Sequence, residues 1–280
     1  MDTASASSVH PSREVDFIPA LYSPRFTLYF GRYVRRMIAK SFAAVRVMPD
    51  GAGAIEALSS ASGPALVLVS HSAWWDPLIG LALHQHFLRR PSQEREPLAP
   101  MDAAMLRKFS IFKRLGIFGI APDDPRSLEA MGEYVRGVFA RNPRSALWIT
   151  PQGRFTDPRE PVTLRPGAAA IAARTPGVSV VGVSVEYAFW TEQKPEVFLR
   201  FVPIACERAD STAAWHRSMT EAMERSRVEL AAGVISRDPA RFVHVFDSAK
   251  GVSTNRFYDL WLRLRGRSTQ IEDRRFQSPR

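Results

Sequence analysis

The chain of 280 residues contains a single cysteine, Cys206, which excludes an internal disulfide and a thiolate metal cluster. In apolar surroundings a lone cysteine reads as a small core side chain. No run approaches the roughly 18 consecutive apolar residues that a membrane-spanning helix needs. Gly51-Ala52-Gly53 lacks the third glycine of a dinucleotide loop, and no Gly-Lys-Ser/Thr phosphate loop exists. Gly182-Val183-Ser184-Val185-Glu186 fails the nucleophile-turn pattern at its last position. The histidines lack ligand spacing, so neither a metal nor a bound cofactor is expected. Acidic residues are in the minority: 28 Asp and Glu against 38 Lys and Arg give a formal charge of +10. That excess favours partners with negative surfaces, whether nucleic acid, anionic headgroups or phosphorylated substrates.

What is present is a 45% hydrophobic composition, enough for one large domain. Residues 1–16 are polar, rich in Ser and Ala, and carry Asp2, Glu14 and Asp16. They read as a disordered tail and do not suit a secretory signal, so a cytoplasmic protein is expected. Residues 17–48 are aromatic, aliphatic and basic together. Phe26, Tyr29, Phe30, Tyr33, Val34, Met37, Ile38 and Phe42 recur at helical spacing, flanked by Arg25, Arg32, Arg35, Arg36 and Lys40. Such an amphipathic helix suits the headgroup region of an anionic membrane, on its inner face; packing on the domain is the alternative.

Residues 49–210 alternate strand and helix patterns. Strands are expected at 65–70, 98–101, 116–120, 146–150, 178–185 and 197–202, with helices at 77–88, 103–109, 127–140 and 167–174. This predicts an α/β domain around a largely parallel sheet flanked by helices. Residues 211–280 form a helical, basic extension with a long helix at 212–236 and a later stripe of Phe257, Leu260, Trp261 and Leu264.

The segment richest in chemistry is Ser70-His71-Ser72-Ala73-Trp74-Trp75-Asp76-Pro77, which leaves a strand and opens a helix. Asp76 suits the N-cap and Pro77 the first helical position. The loop would fold His71 back towards Asp76 at the carboxyl edge of the sheet, where α/β proteins gather ligands. A carboxylate fixes the tautomer of an imidazole and raises its basicity, as proton removal from a hydroxyl requires. A second segment, Pro151-Gln152-Gly153-Arg154-Phe155, also ends a strand. Gly153 allows close backbone approach to a ligand, and Arg154 offers a fork for phosphate. Downstream, Arg165 precedes a Gly-Ala-rich helix start at Gly167.

The order of these segments resembles the glycerolipid acyltransferase family, the lysophospholipid acyltransferases that form phosphatidic acid. Its Asn-His-x4-Asp block, Gly-containing block, Pro-Glu-Gly-Thr-Arg-Ser block, Lys/Arg-x-Gly-Ala helix start and apolar strand correspond to residues 70–76, 116–126, 151–155, 165–172 and 176–183. The likeness covers about half the chain. It implies His71 and Asp76 as the catalytic pair. It also implies a substrate-binding set of Ser72, Trp74, Trp75, Arg126, Pro151, Gln152, Gly153, Arg154, Arg165 and Gly167. Trp74 and Trp75 read equally well as flanking an acyl entrance or packing in the core. The implied donor is a thioester of coenzyme A or acyl carrier protein, attacked directly by a lipid hydroxyl, with backbone amides near the helix start steadying the oxyanion. The departures are Ser70 for Asn, Gln152 for Glu, and a missing Thr; they leave the acceptor headgroup open. Two alternatives stand beside this reading, a catalytically silent membrane scaffold and a basic nucleic-acid-binding protein. The second is disfavoured because the positive charge concentrates at the two ends beside apolar faces.

Overall fold

A computed structural model describes residues 15–88 and 94–246. The stripe of Phe257, Leu260, Trp261 and Leu264, and residues 1–14 of the polar tail, lie outside the described residues. In chain order the elements are β1 (Phe17–Ile18), α1 (Pro24–Ser41), β2 (Val45–Val47), α2 (Ala52–Ser60), β3 (Ala65–Val69), α3 (Asp76–Leu83), β4 (Glu96–Asp102), α4 (Ala103–Lys108), β5 (Ile117–Ile120), α5 (Pro125–Arg141), β6 (Ser145–Ile149), α6 (Gly167–Ala173), β7 (Ser179–Ala188), β8 (Glu196–Ile204), α7 (Thr212–Ser236) and β9 (Val243–Phe246).

The strands form one sheet in the order β1-β5-β4-β6-β3-β7-β8-β2-β9. Its central five strands, from β5 to β7, are mutually parallel. The sheet as a whole is mixed, which corrects the expectation of a largely parallel one: β1 pairs antiparallel with β5, β8 with β7, and β9 with β2. The physical reason is clearest at β7 and β8. No helix separates them, and a short connection can only return the chain antiparallel, whereas a parallel partner needs a crossover.

β3 shows how the core is built. All five of its residues are buried, and alternate side chains serve opposite faces. Leu66 and Leu68 pack with Met131, Val135, Ala168, Ala169, Met219 and Met223 of α5, α6 and α7. Ala65, Val67 and Val69 pack with Val34, Ile38, Leu58, Ile79 and Leu83 of α1, α2 and α3. A strand covered on both faces must be apolar throughout, which is why 65–69 reads as an unbroken apolar run.

α1 is capped by Ser23, whose Oγ accepts from the Phe26 amide, with Pro24 at the first helical position. Its stripe divides in two. Val34, Ile38 and the following Phe42 enter the core, while Tyr29 and Tyr33 are exposed beside Arg25, Arg32, Arg35, Arg36 and Lys40. Among the described residues no helix is long and apolar enough to cross a membrane.

Candidate active site

Because β3, β6 and β7 run parallel, their carboxyl ends open on one edge of the sheet. The loops leaving β3 and β6 and the last residues of β7 meet there. Ser70 extends the pairing past the end of β3: its amide donates to Val183 O at 3.0 Å and its Oγ accepts from the Val185 amide at 2.8 Å. A Ser at this position therefore ties the loop to β7.

His71 and Asp76 come together. His71 Nδ1 lies 2.9 Å from Asp76 Oδ2. The carboxylate is 1% exposed and fully engaged. Oδ2 also accepts from the Ser72 amide at 2.7 Å and the Ala73 amide at 2.8 Å, and Oδ1 accepts from the Tyr187 hydroxyl at 2.6 Å. An acceptor-only carboxylate at Nδ1 fixes the tautomer with the proton there, which leaves Nε2 with its lone pair. Asp76 is the first residue of α3 and not its N-cap: that position is held by Trp75 in helical conformation without a side-chain bond. The carboxylate turns back onto its own loop instead of capping the helix. The amides of Ser72 and Ala73 are thereby committed to Asp76, which removes them from the oxyanion role expected of amides near the helix start.

Gln152 reaches across from the loop after β6. Its Oε1 accepts from the His71 amide at 2.6 Å and its Nε2 donates to Thr156 Oγ1 at 2.6 Å. The Thr156 amide donates to His71 O at 2.9 Å. Both backbone polar groups of His71 are thus held by one loop. Since the His71 amide can only donate, the oxygen of Gln152 must face it. The Phe155 ring lies 4.2 Å from the His71 ring, centroid to centroid. Gln152→Leu should therefore cost about 2 kcal/mol in a denaturant melt, because a half-buried amide loses its acceptor. Gln152→Glu, which keeps an oxygen at that amide, should cost less than about 1 kcal/mol. Equal losses would sink this account of Gln152.

The remaining expected residues divide. Gly153 adopts φ +67°, which calls for glycine, and the Arg165 guanidinium lies over it, 2.7 Å from where a Cβ would stand. The Arg165 amide donates to the carbonyl of buried Pro151 at 2.7 Å, and its Nη1 donates to Pro122 O at 3.1 Å and Asp123 Oδ1 at 3.4 Å. Arg126 pairs with Asp124 at 3.3 Å. Two guanidinium groups thus converge on the Asp123-Asp124 turn. Hydrogen bonds to its own Arg126 and Ser127 amides and to the Arg126 side chain hold the Asp124 carboxyl below the usual range. Gly167 opens α6, where a Cβ would make ordinary contact with Met131 at 3.8 Å. Arg154 is exposed. The tryptophans part company: Trp74 is 68% exposed, while Trp75 packs edge-on against Phe42 at 4.9 Å. Ser72 Oγ is buried with no hydrogen-bond partner among the described residues.

Tyr187 and Thr156 are the contributors that sequence reading missed. Thr156 falls just beyond the Pro151–Phe155 segment. Tyr187 lies 111 positions from Asp76 along the chain, and its one signal is a polar tip at the end of an apolar strand, which needs a partner when buried.

Fold and site together define an α/β enzyme with an imidazole–carboxylate pair at the carboxyl edge of its sheet. Residues 52–186, which contain this pair, Gln152 and Arg165, match the Acyltransferase family, and this match supports a general acyl-transfer function. No curated protein matches the chain in sequence.

Proposed function

We propose that the chain moves a fatty acyl group from a thioester of coenzyme A or acyl carrier protein to a hydroxyl of a lysophospholipid or related lipid, with His71 as general base. The observation that carries this reading is the 2.9 Å contact from His71 Nδ1 to the fully engaged Asp76, which leaves the lone pair on Nε2. Nε2 takes the hydroxyl proton as the oxygen attacks the thioester carbon. The carbon–sulfur bond then breaks, and the imidazolium returns the proton to the departing thiolate. No acyl-enzyme and no cofactor are needed, and Asp76 stabilises the imidazolium throughout.

An anionic membrane surface is the proposed partner, on the cytoplasmic face. Support comes from a continuous run of rings and cations on α1 and the segment before β5. Phe26 stacks on Phe30 at 5.7 Å, Phe30 meets Phe112 at 6.1 Å, and Phe112 stacks on Phe109 at 5.9 Å. Leu21, Tyr29, Tyr33, Phe109 and Ile111 are exposed around it, among Arg25, Arg32 and Lys108. Aromatic side chains at the acyl boundary and cations at phosphates are what such a surface uses. Arg165 and Arg126 are the proposed acceptor-phosphate ligands.

The test is thiol release from long-chain acyl-CoA and acyl carrier protein across lysophospholipids and glycolipids, with His71→Ala as background. Acceptor-dependent release that disappears in the variant is the expected result and names the headgroup. Silence with every donor and acceptor would hand the protein to the scaffold reading.

A further inference from the structure

Four donors surround the Asp76 carboxylate. Three of them, the His71 ring and the amides of Ser72 and Ala73, crowd onto Oδ2. The fourth, the Tyr187 hydroxyl, is the single donor to Oδ1 among the described residues, and it comes from a different element, the end of β7. Tyr187 is itself held from behind. Its ring lies 5.6 Å from that of Phe42, which also packs against Trp75, the residue before Asp76. With Oδ2 anchored by three donors, a carboxylate with none on Oδ1 would keep its contact with Nδ1 but could swing about Oδ2, so that its plane, and the His71 ring that follows it, would lose a fixed orientation. The Tyr187 bond pins the far oxygen and fixes the carboxylate plane.

We propose that Tyr187 is a positioning residue that acts on His71 through Asp76, fixing the plane of the carboxylate against the imidazole and drawing charge towards Oδ1. Burial, the adjacent carboxylate and the hydrogen bond to it together push the phenol above its ordinary range, so the hydroxyl keeps its proton and stays a donor. The proposal rests on the acyl-transfer reading only where activity is concerned, since the titration of His71 reports on the pair by itself.

Removing the donor makes Asp76 more basic, concentrates its charge and favours the imidazolium, so the His71 pKa rises. The other charged side chains around the cavity that His71 lines are Asp157 and Glu160 from the loop after β6, Glu186 from β7 and Arg227 from α7. Arg159 is paired with Glu186 at 2.6 Å. None of them changes in Tyr187→Phe, which also keeps the ring against Phe42.

The experiment follows the His71 ring by NMR titration in the full chain, in wild type, Tyr187→Phe, and protein with 3-fluorotyrosine at position 187. The Phe variant should move the titration up. The fluorinated ring, a stronger donor, should move it down. In an Asp76→Asn background Tyr187→Phe should move it far less, because the route through the carboxylate is gone. Thiol release should fall about tenfold in kcat with KM unchanged, as for loss of one hydrogen bond to a charged group. Titrations that coincide in the three proteins, or a shift that persists at full size in Asp76→Asn, would overturn the proposal. Shifts of opposite sign without any thiol release would uphold it and place the failure in the acyl-transfer reading.

Discussion

Asp76→Asn should lower acyl transfer by about 10³-fold while leaving the fold standing. Three donors, the His71 ring and the amides of Ser72 and Ala73, all point at Oδ2. The amide oxygen must therefore take that place, and the amide nitrogen must turn to Tyr187, whose hydroxyl accepts as readily as it donates. Every buried polar group keeps a partner and the His71 tautomer is retained. What is lost is the negative charge facing the imidazolium that forms as the acceptor hydroxyl is deprotonated. Stability should fall by no more than about 1–2 kcal/mol, the difference between a charged and a neutral acceptor. Asp76→Ala is the wrong probe, because several buried donors would lose their acceptor at a cost of about 3–5 kcal/mol, and unfolding would be mistaken for chemistry. The measurement pairs initial rates of thiol release with a thermal melt of the same preparation. A folded Asn variant within tenfold of wild type would mean that Asp76 is merely structural.

All helices but α2, and the central strands, are legible because each carries a strong local pattern. The 65–70 apolar run became β3, and residues 212–236 became α7 at the expected ends. The His71 loop was legible for the same reason, since strand, loop and Pro77 lie within one short window. What escaped was set by pairing across the sheet. β1, β2 and β9 are two, three and four residues long, too short for any periodicity, and they exist because the sheet edges offer hydrogen bonds. α2 escaped because its small residues, Ala52 to Ser60, have little amphipathic contrast. Asp76 as N-cap was a sound local inference overridden by a nearer set of donors in its own loop. Tyr187 is not legible because the unbroken apolar pattern of its strand stops at Val185, two residues short of it. Asp76 and Gln152, the two side chains that hold His71 in place, are positions where a side chain abandons its local role for a distant or looped partner.

Gly116→Ala should destabilise the protein by about 4 kcal/mol, a left-handed residue's strain added to a steric overlap that backbone must relieve. Gly116 ends the turn before β5 with φ +85°, and a Cβ built there would stand 1.8 Å from the Pro97 carbonyl oxygen. That oxygen belongs to β4, whose Ala99 amide donates to Gly116 O at 3.2 Å and pairs in register with Ile117. The strain therefore cannot be absorbed by a side-chain rotation. β5 must draw away from β4, and with it the Ala121–Arg126 turn on which Arg165 and Arg126 converge. Gly132, within α5, is the matched control: a Cβ there meets nothing within 4 Å. Gly132→Ala should stabilise by about 0.5–1 kcal/mol, through helix propensity and a less flexible unfolded chain. The two substitutions add the same methyl group and differ only in conformation and surroundings. Thermal melts should thus move in opposite directions, Gly116→Ala downward by roughly 10 °C for a domain of this size. If Gly116→Ala melted within a degree or two of wild type, the close approach of β4 to the turn before β5 would be wrong, and with it the placement of the Asp123-Asp124 turn beside Arg165.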